Sequence, residues 1–331
     1  MIINFIKLLF ICILNIIYFY LSLNRPNSIL SEKKENKLFN QKSILNDNNK
    51  TNFEYFFCFC GVGKKENLYS RQLISYYLNL GVEKFVFGDN NDPNTEKLSD
   101  VLQDYIINGT VDIIDIIGSS IGQSEFYGIL YEKYKKRCEW LSFFDFDEYL
   151  VMHFEEGKNL ILKEFLSNKI FDKCESIAFN WLIYNDNDLV YYDNRTFLER
   201  FTKPSFEDTH NKFVKSIVRG NLDRQPYVDK KTNHRPVPEI KVCNSTGNLL
   251  STYSEAYPQN YKNGYLIHFP LKTAEEYIAK MLKGLCGGHK FDINKLEENI
   301  NFFFEHNKFT KEKLKVFETY FNTTFNIHHD N

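Results

Sequence analysis

The sequence lacks an excess of charge of either sign: 41 Lys+Arg stand against 43 Asp+Glu, a formal net charge of −2 over 331 residues. A chain that grips a nucleic-acid backbone needs a basic stripe, so that class of partner is excluded. No internal repeat is visible, which sets aside solenoid and propeller architectures. The apolar poverty of a disordered chain is missing too, since 43% of residues are hydrophobic and 16% aromatic. What is present suffices for one sizeable α/β domain with accessory segments.

Met1 to Leu23 is almost wholly apolar, interrupted by Asn4, Lys7 and Asn15. A helix of about 20 residues crosses a bilayer core, so this run is long enough for a membrane anchor. Ser22-Leu23-Asn24 lacks the small-x-small cleavage signature, which favours an uncleaved anchor over a removed signal peptide. Residues 24–52, rich in Asn, Lys, Ser and Glu, read as a flexible stem. Lys7 precedes the span while Arg25, Lys33, Lys34 and Lys37 follow it, which alone would hold the body in the cytoplasm. Five N-x-S/T sequons, at Asn49, Asn108, Asn194, Asn244 and Asn322, have a use only in a lumen. The enzyme class reached below tips the reading to a single-pass type II protein facing the Golgi or ER lumen. Cys12 lies in the anchor. Cys58, Cys60, Cys138, Cys174, Cys243 and Cys286 stay open between disulfides and buried thiols.

Strand character appears at Glu54–Phe59, Lys84–Phe87, Val111–Ile117 and Trp140–Phe146. Helical spacing occupies Glu66–Leu80, the stretch opened by Asp92-Pro93 and carrying Leu98 to Ile106, and Gln123–Lys136. This alternation predicts β-α-β units and a mostly parallel sheet, whose ligands gather at the carboxyl ends of the strands. Ser176–Tyr184, Lys212–Arg219 and Tyr265–Phe269 are further strands. Thr273-Ala-Glu-Glu276 is a capping box opening a helix, and Asp292–Phe321 reads as two more helices.

The sharpest motif is Trp140-Leu-Ser-Phe-Phe-Asp145-Phe-Asp147-Glu148. An apolar strand delivers carboxylates one residue apart at its carboxyl end, and strand alternation would point Asp145 and Asp147 the same way. Acids so close repel one another, and a divalent cation removes that cost. Hard oxygen ligands suit Mn²⁺ or Mg²⁺, with a nucleotide diphosphate completing the shell. The plainer reading is an acidic turn after a strand.

Together with Gly63-Lys-Lys-Glu-Asn-Leu-Tyr69, Gly81–Asn91, Gln123, Asn180-Trp181, Tyr192–Phe201, Lys215–Arg219, Cys243-Asn244, His268 and Lys272–Lys280, this block resembles glycosyltransferase family 92, within the GT-A nucleotide-sugar transferases. The resemblance runs from about Phe57 to Lys283. It departs at Lys65-Glu66, Gln72-Leu73 and Phe269, where the family usually has Asn-Glu, Glu-Trp and a tyrosine.

The resemblance implies a GT-A fold, a Rossmann-like, mostly parallel α/β sheet flanked by helices; the domain is expected over 53–285, with helices of 286–331 packing on it. It implies an inverting sugar transfer, with galactose the suggested sugar, from a UDP-sugar to a glycan. Asp145 and Asp147 would form the metal-diphosphate motif, with His268 a third ligand or simply a half-buried histidine. Glu66 and Asp89 would meet the nucleoside, or Asp89 would hold a turn. Lys215 and Arg219 would neutralise phosphates or stand as exposed charges. Inversion needs a general base, for which Glu199 and the pair Asp186 and Asp188 are the candidates. A salt bridge from Glu199 to Arg200 or Arg195 is the ordinary alternative. Trp181 is read as a core residue before a sugar platform. The alternative function is a catalytically inactive fold that binds glycans or scaffolds.

Overall fold

A computed structural model describes residues 53–155, 157–227, 233–251, 256, 258–284 and 291–325. The expected anchor (1–23), stem (24–52), Cys12, Asn49 and Cys286 lie outside the described residues. Among the described residues, no helix is long and apolar enough to cross a membrane.

The chain runs β1 (Tyr55–Gly63), α1 (Asn67–Asn79), β2 (Lys84–Asp89), α2 (Leu98–Val101), α3 (Gln103–Ile107), β3 (Val111–Asp115), α4 (Gln123–Tyr134) and β4 (Cys138–Phe143). There follow β5 (Glu148–Met152), α5 (Leu162–Leu166), β6 (Ser176–Ile183), α6 (Phe197–Arg200), β7 (Val214–Arg219), β8 (Val242–Asn244) and β9 (Gly264–His268). The helices α7 (Ala274–Lys283), α8 (Leu296–His306) and α9 (Lys311–Phe321) close it. The sheet order is β3-β2-β1-β4-β7-β6-β9-β5, with β8 beside β6. Five pairings are parallel and three antiparallel, so the sheet is mixed but mostly parallel, as the β-α-β rhythm predicts.

Period-two alternation builds the two layers around it. Phe57 and Phe59 of β1 face α1, where Leu73, Ile74 and Tyr77 are buried; Cys58, Cys60 and Val62 face Phe126, Tyr127, Leu130 and Tyr131 of α4. Gly88 in β2 is what lets α4 approach: a Cβ there would lie 2.3 Å from the Phe126 ring. A third apolar cluster, including Tyr277, Ile278, Ile300, Phe303, Phe304 and Phe317, packs α7, α8 and α9 together.

Three local features differ from expectation. No helix starts at Asp92-Pro93; it starts at Leu98, because buried Asp89 accepts from the Leu98 amide (2.7 Å) and Asp100 accepts from the Lys97 amide (2.9 Å). β4 ends at Phe143, so Asp145 and Asp147 lie in the turn before β5. β5 and the short β8 are additional strands. The cost of each lies in partners far along the chain: β5 pairs with β9 and β8 with β6.

Cys58–Cys138 and Cys174–Cys243 are disulfides, whereas Cys60 is a buried free thiol. Disulfides persist in oxidising compartments, so this is a secretory-pathway domain. The second closes a separation of 69 residues. Replacing Cys174 and Cys243 together by alanine is expected to remove roughly 2–4 kcal/mol. A thermal melt in non-reducing buffer checks it.

Candidate functional site

Register assembles the site. β1, β2 and β3 end side by side, Gly63 opposite Asp89 and Asp89 opposite Asp115, and β4 runs alongside with Phe143 opposite Cys60. The turn after β4 therefore leaves at the carboxyl edge of the parallel half. β5 then pairs with β9 so that Glu148 faces His268, and the Phe269 amide bonds Asp147 O (3.0 Å). His268 Nε2 thus stands 3.6 Å from Asp147 Oδ1. Antiparallel β7 lies against β4 and brings Lys215 Nζ to 2.9 Å from Asp145 Oδ2.

The turn itself is held by Glu148. Its Oε2 accepts from the Asp145 amide (2.9 Å) and its Oε1 from Trp181 Nε1 (2.8 Å). Complete burial drives the Glu148 carboxyl well above its ordinary range, toward the neutral form. Trp181 packs its ring on His268, centroids 4.2 Å apart, and is buried, as a core residue should be.

Asp145 and Asp147 differ in company. Asp145, with its side chain 30% exposed, accepts from Gln123 Nε2 and from Tyr127 OH (3.3 Å) besides its ion pair with Lys215. Asp147 is buried, its Oδ2 lying 3.1 Å from Lys272 Nζ and 3.8 Å from Lys280 Nζ. Burial alone would raise its pKa, but Lys272, Lys280 and His268 hold it well below the carboxylate range. Burial pulls Lys280 down to about 8 and lowers His268, which is therefore a neutral imidazole at neutral pH. Lys283, one turn past Lys280, pairs with Glu66 at the start of α1. Lys215, Lys272, Lys280 and Lys283 thus face the carboxylates of Glu66, Asp145 and Asp147.

Lys272 reaches Asp147 from a left-handed backbone (φ 62°) just before the Thr273–Glu276 capping box. Such strain in a non-glycine residue persists where surrounding contacts fix it. Its ammonium also sits 4.9 Å above the Tyr69 ring. Lys272, Lys280 and Lys283 carried no role at the level of sequence. The signal available was one lysine just before the capped start of α7 and two more, three residues apart, in its last turn.

The other predicted residues are placed as follows. Asp89 spends both oxygens on backbone amides, of Asn91 (3.0 Å) and Leu98 (2.7 Å), so it holds the loop after β2. Arg219 donates to Cys174 O and Phe171 O and covers the Trp140 ring at 4.1 Å, away from Asp145 and Asp147. Glu199 is exposed and caps α6 through Thr196, its charged neighbours being Arg195 and Asp193. Asp186 is buried against Lys313 Nζ (2.6 Å) and fastens the start of α9 to the body, and Asp188 pairs with Lys203 (3.1 Å). The structure does not bring Glu199, Asp186 or Asp188 to the lysine–carboxylate cluster.

The donor set suits a divalent ion. Asp147 Oδ1 and His268 Nε2 form an oxygen–nitrogen edge of 3.6 Å. Adjacent ligands bonded at about 2.1 Å stand roughly 3 Å apart, so closure by about half an ångström would seat one. Asp145 is committed to Lys215, Gln123 and Tyr127, whereas Asp147 gives Oδ2 to Lys272 and Lys280 and turns Oδ1 to His268.

Among solved structures, the chain is similar to S. aureus TarS 1–349 (TM-score 0.33, 11% identity, 80% of this chain and 70% of that one). It is similar to the same protein in complex with UDP-GlcNAc (TM-score 0.34, 12% identity, 79% and 80%). A T. maritima inositol-1-phosphate CTP transferase gives a TM-score of 0.33 at 12% identity, covering 70% of this chain and 98% of that one. No curated protein sequence matches it. Residues 53–323 match the model of glycosyltransferase family 92, a span that holds the whole sheet and the lysine–carboxylate cluster, and the chain belongs to that family of glycosyltransferases.

Proposed function

We propose that the chain transfers a sugar from a UDP-sugar, galactose in the first instance, to a hydroxyl of a glycan or glycoconjugate, with inversion at the anomeric carbon and with Mn²⁺ or Mg²⁺. The observation that carries this reading is the cluster itself: an Asp147–His268 edge ringed by Lys215, Lys272, Lys280 and Lys283 at the carboxyl end of parallel strands. Asp147 and His268 would hold the ion, which supplies Lewis-acid neutralisation of the departing diphosphate.

The protein's own groups supply the rest. Lysine ammonium groups at the cluster are point-charge donors for phosphate oxygens, and charges already in place stabilise the leaving diphosphate without reorganisation. Lys215, tied to Asp145, sets the side from which the phosphates are met. Glu148, bonded to Trp181 and to the Asp145 amide, keeps the carboxylate turn fixed.

Lys280→Met is expected to raise KM for the donor by about tenfold to a hundredfold, the worth of one charge-assisted contact (about 1.5–3 kcal/mol), and to change kcat less. Initial-rate kinetics over donor concentration check it. The reading as a whole is tested by incubating the purified full chain with Mn²⁺, a panel of UDP-sugars and glycan acceptors. Transfer of one sugar supports it; glycan binding with no nucleotide binding would favour the inactive, lectin-like alternative.

The membrane placement is part of the same proposal: type II, with the catalytic body in the Golgi or ER lumen. Asn108, Asn194 and Asn322 are exposed sequon positions on this body. Expressed in a cell that makes N-glycans, the chain is expected to gain mobility on endoglycosidase treatment, and an Asn108→Gln/Asn194→Gln/Asn322→Gln variant to show less of that shift. A chain with no glycan on any sequon would argue for the opposite orientation.

A further inference from the structure

We infer that Asp208, His210 and His306 form a second divalent-metal site, of the imidazole-rich kind that suits Zn²⁺, built from residues the transfer reaction does not use. One ligand atom from each of the three lies within 4.8 Å of the others. Asp208 and His210 come from the tight turn of residues 208–212 that feeds β7, and His306 is the last residue of α8.

The turn fixes the carboxylate first. Asp208 Oδ1 accepts from the His210 amide (2.8 Å), and the side chain is only 3% exposed. Two imidazoles stand beside it, His210 Nδ1 3.0 Å from Oδ1 and His306 Nε2 3.4 Å from Oδ2, and the Tyr261 hydroxyl is near enough to feel its charge. Among the described residues no lysine or arginine forms an ion pair with it.

His306 is oriented from behind. Its Nδ1 lies 2.8 Å from Phe302 O, and a carbonyl only accepts, so that nitrogen carries a proton. A backbone carbonyl on the far nitrogen is the usual device that fixes a metal-binding histidine in one tautomer. In the neutral ring, Nε2 then points a lone pair at a carboxylate oxygen, an opposition that a cation between them removes. Four-coordinate Zn²⁺ with bonds of about 2.0–2.1 Å separates its ligand atoms by roughly 3.4 Å, close to the Oδ2–Nε2 spacing. His210, with its side chain 38% exposed, leaves a path for the ion and room for water as a fourth ligand.

Such an ion would join the C-terminal helices to the sheet. The next residue, Asn307, accepts from the Asp186 amide (2.9 Å), and Lys313 of α9 pairs with Asp186. The turn it would hold leads into Lys215 five residues after His210. The competing account is an ion pair between Asp208 and doubly protonated His306, which needs no metal.

The two are separated by titrating Co²⁺ into chelator-treated full chain and reading visible d–d absorption, with Asp147→Asn present to remove the other metal position. The inference expects about one equivalent of Co²⁺ in Asp147→Asn, displaced by Zn²⁺, and a rise in Tm when Zn²⁺ is added. Adding His210→Ala, or separately His306→Gln, is expected to weaken Co²⁺ binding by at least tenfold. Half-exposed His210 is the variant whose fold is least at stake, with near-UV circular dichroism as the check. Absence of Co²⁺ binding in Asp147→Asn, or unchanged binding after both histidine substitutions, would overturn the inference.

Discussion

Asp147→Asn is expected to lower kcat/KM for sugar transfer by at least about a thousandfold while the domain stays folded. The loss follows from removing the one carboxylate oxygen that shares an edge with His268, and with it the charge that centres Lys272 and Lys280. Deleting one preorganised electrostatic contact to a developing charge costs about 10²–10³ in rate, and in the proposed function the loss of a metal ligand adds to it. Asparagine is the informative replacement. It keeps the volume and one acceptor for Lys272, which is buried and would otherwise be stranded. Alanine would mix the chemical loss with the penalty of an unpaired buried ammonium, several kcal/mol in other proteins. Initial rates with a matched circular dichroism spectrum decide the point. Transfer within tenfold of the parent would remove Asp147 from the metal position.

Arg200→Met is expected to destabilise the domain by about 3–5 kcal/mol. The guanidinium meets Glu276 in a two-pronged pair, 2.6 Å to Oε2 and 3.0 Å to Oε1, with side chains 0% and 4% exposed. Glu276 also accepts from Tyr69 OH (2.8 Å) and Thr273 Oγ1 (2.8 Å), so it is both the cap of α7 and the hub of a buried network. Taking away the arginine leaves a buried carboxylate without its countercharge, and the helix it caps carries Lys280 and Lys283. The melting temperature should fall by roughly 6–20 °C. Arg200→Met with Glu276→Leu should recover part of the loss, because an apolar pair of similar volume carries no stranded charge.

The pH dependence has a definite sign. Burial pushes the Glu276 carboxyl up, but hydrogen bonds from Arg200 outweigh it and hold the folded-state pKa below the ordinary glutamate range. A depressed folded pKa gives stability that is complete above the unfolded value and is lost as pH falls through the folded one. The penalty of Arg200→Met is therefore largest near neutrality and shrinks on acidification. Denaturant melts of parent and variant at several pH values measure it; a penalty that grew toward acid would contradict the assignment.

Much of the fold was legible because it is written locally. The strands of the parallel half announce themselves as short aromatic and β-branched runs between helical stretches, and Thr273–Glu276 opens α7 where the capping rule says. Asp145 and Asp147 were found for the same reason, though by a turn and not by strand alternation. Phe144 makes the last sheet contact of β4, to Cys60 O, and Glu148 then folds the chain back by bonding the Asp145 amide. The Thr196–Glu199 box obeys the same local rule and explains why Glu199 is spent on capping.

What escaped is non-local. Lys272 and Lys280 meet Asp147 across more than a hundred residues, and nothing in the spacing near either end specifies that meeting. It depends on β5 pairing with β9, which sets Glu148 opposite His268 and hands the chain on to Lys272. Asp186 looked like a free acid beside Asp188, yet its partner Lys313 lies in the last helix. Pairings of this kind become visible only when the sheet order is known.

Calorimetric titration of UDP into the purified full chain, with and without Mn²⁺, tests the cation-and-diphosphate site most directly. The account predicts binding that Mn²⁺ strengthens by at least tenfold in the parent and leaves unchanged in Asp147→Asn. UDP binding that is indifferent both to Mn²⁺ and to that substitution would contradict it.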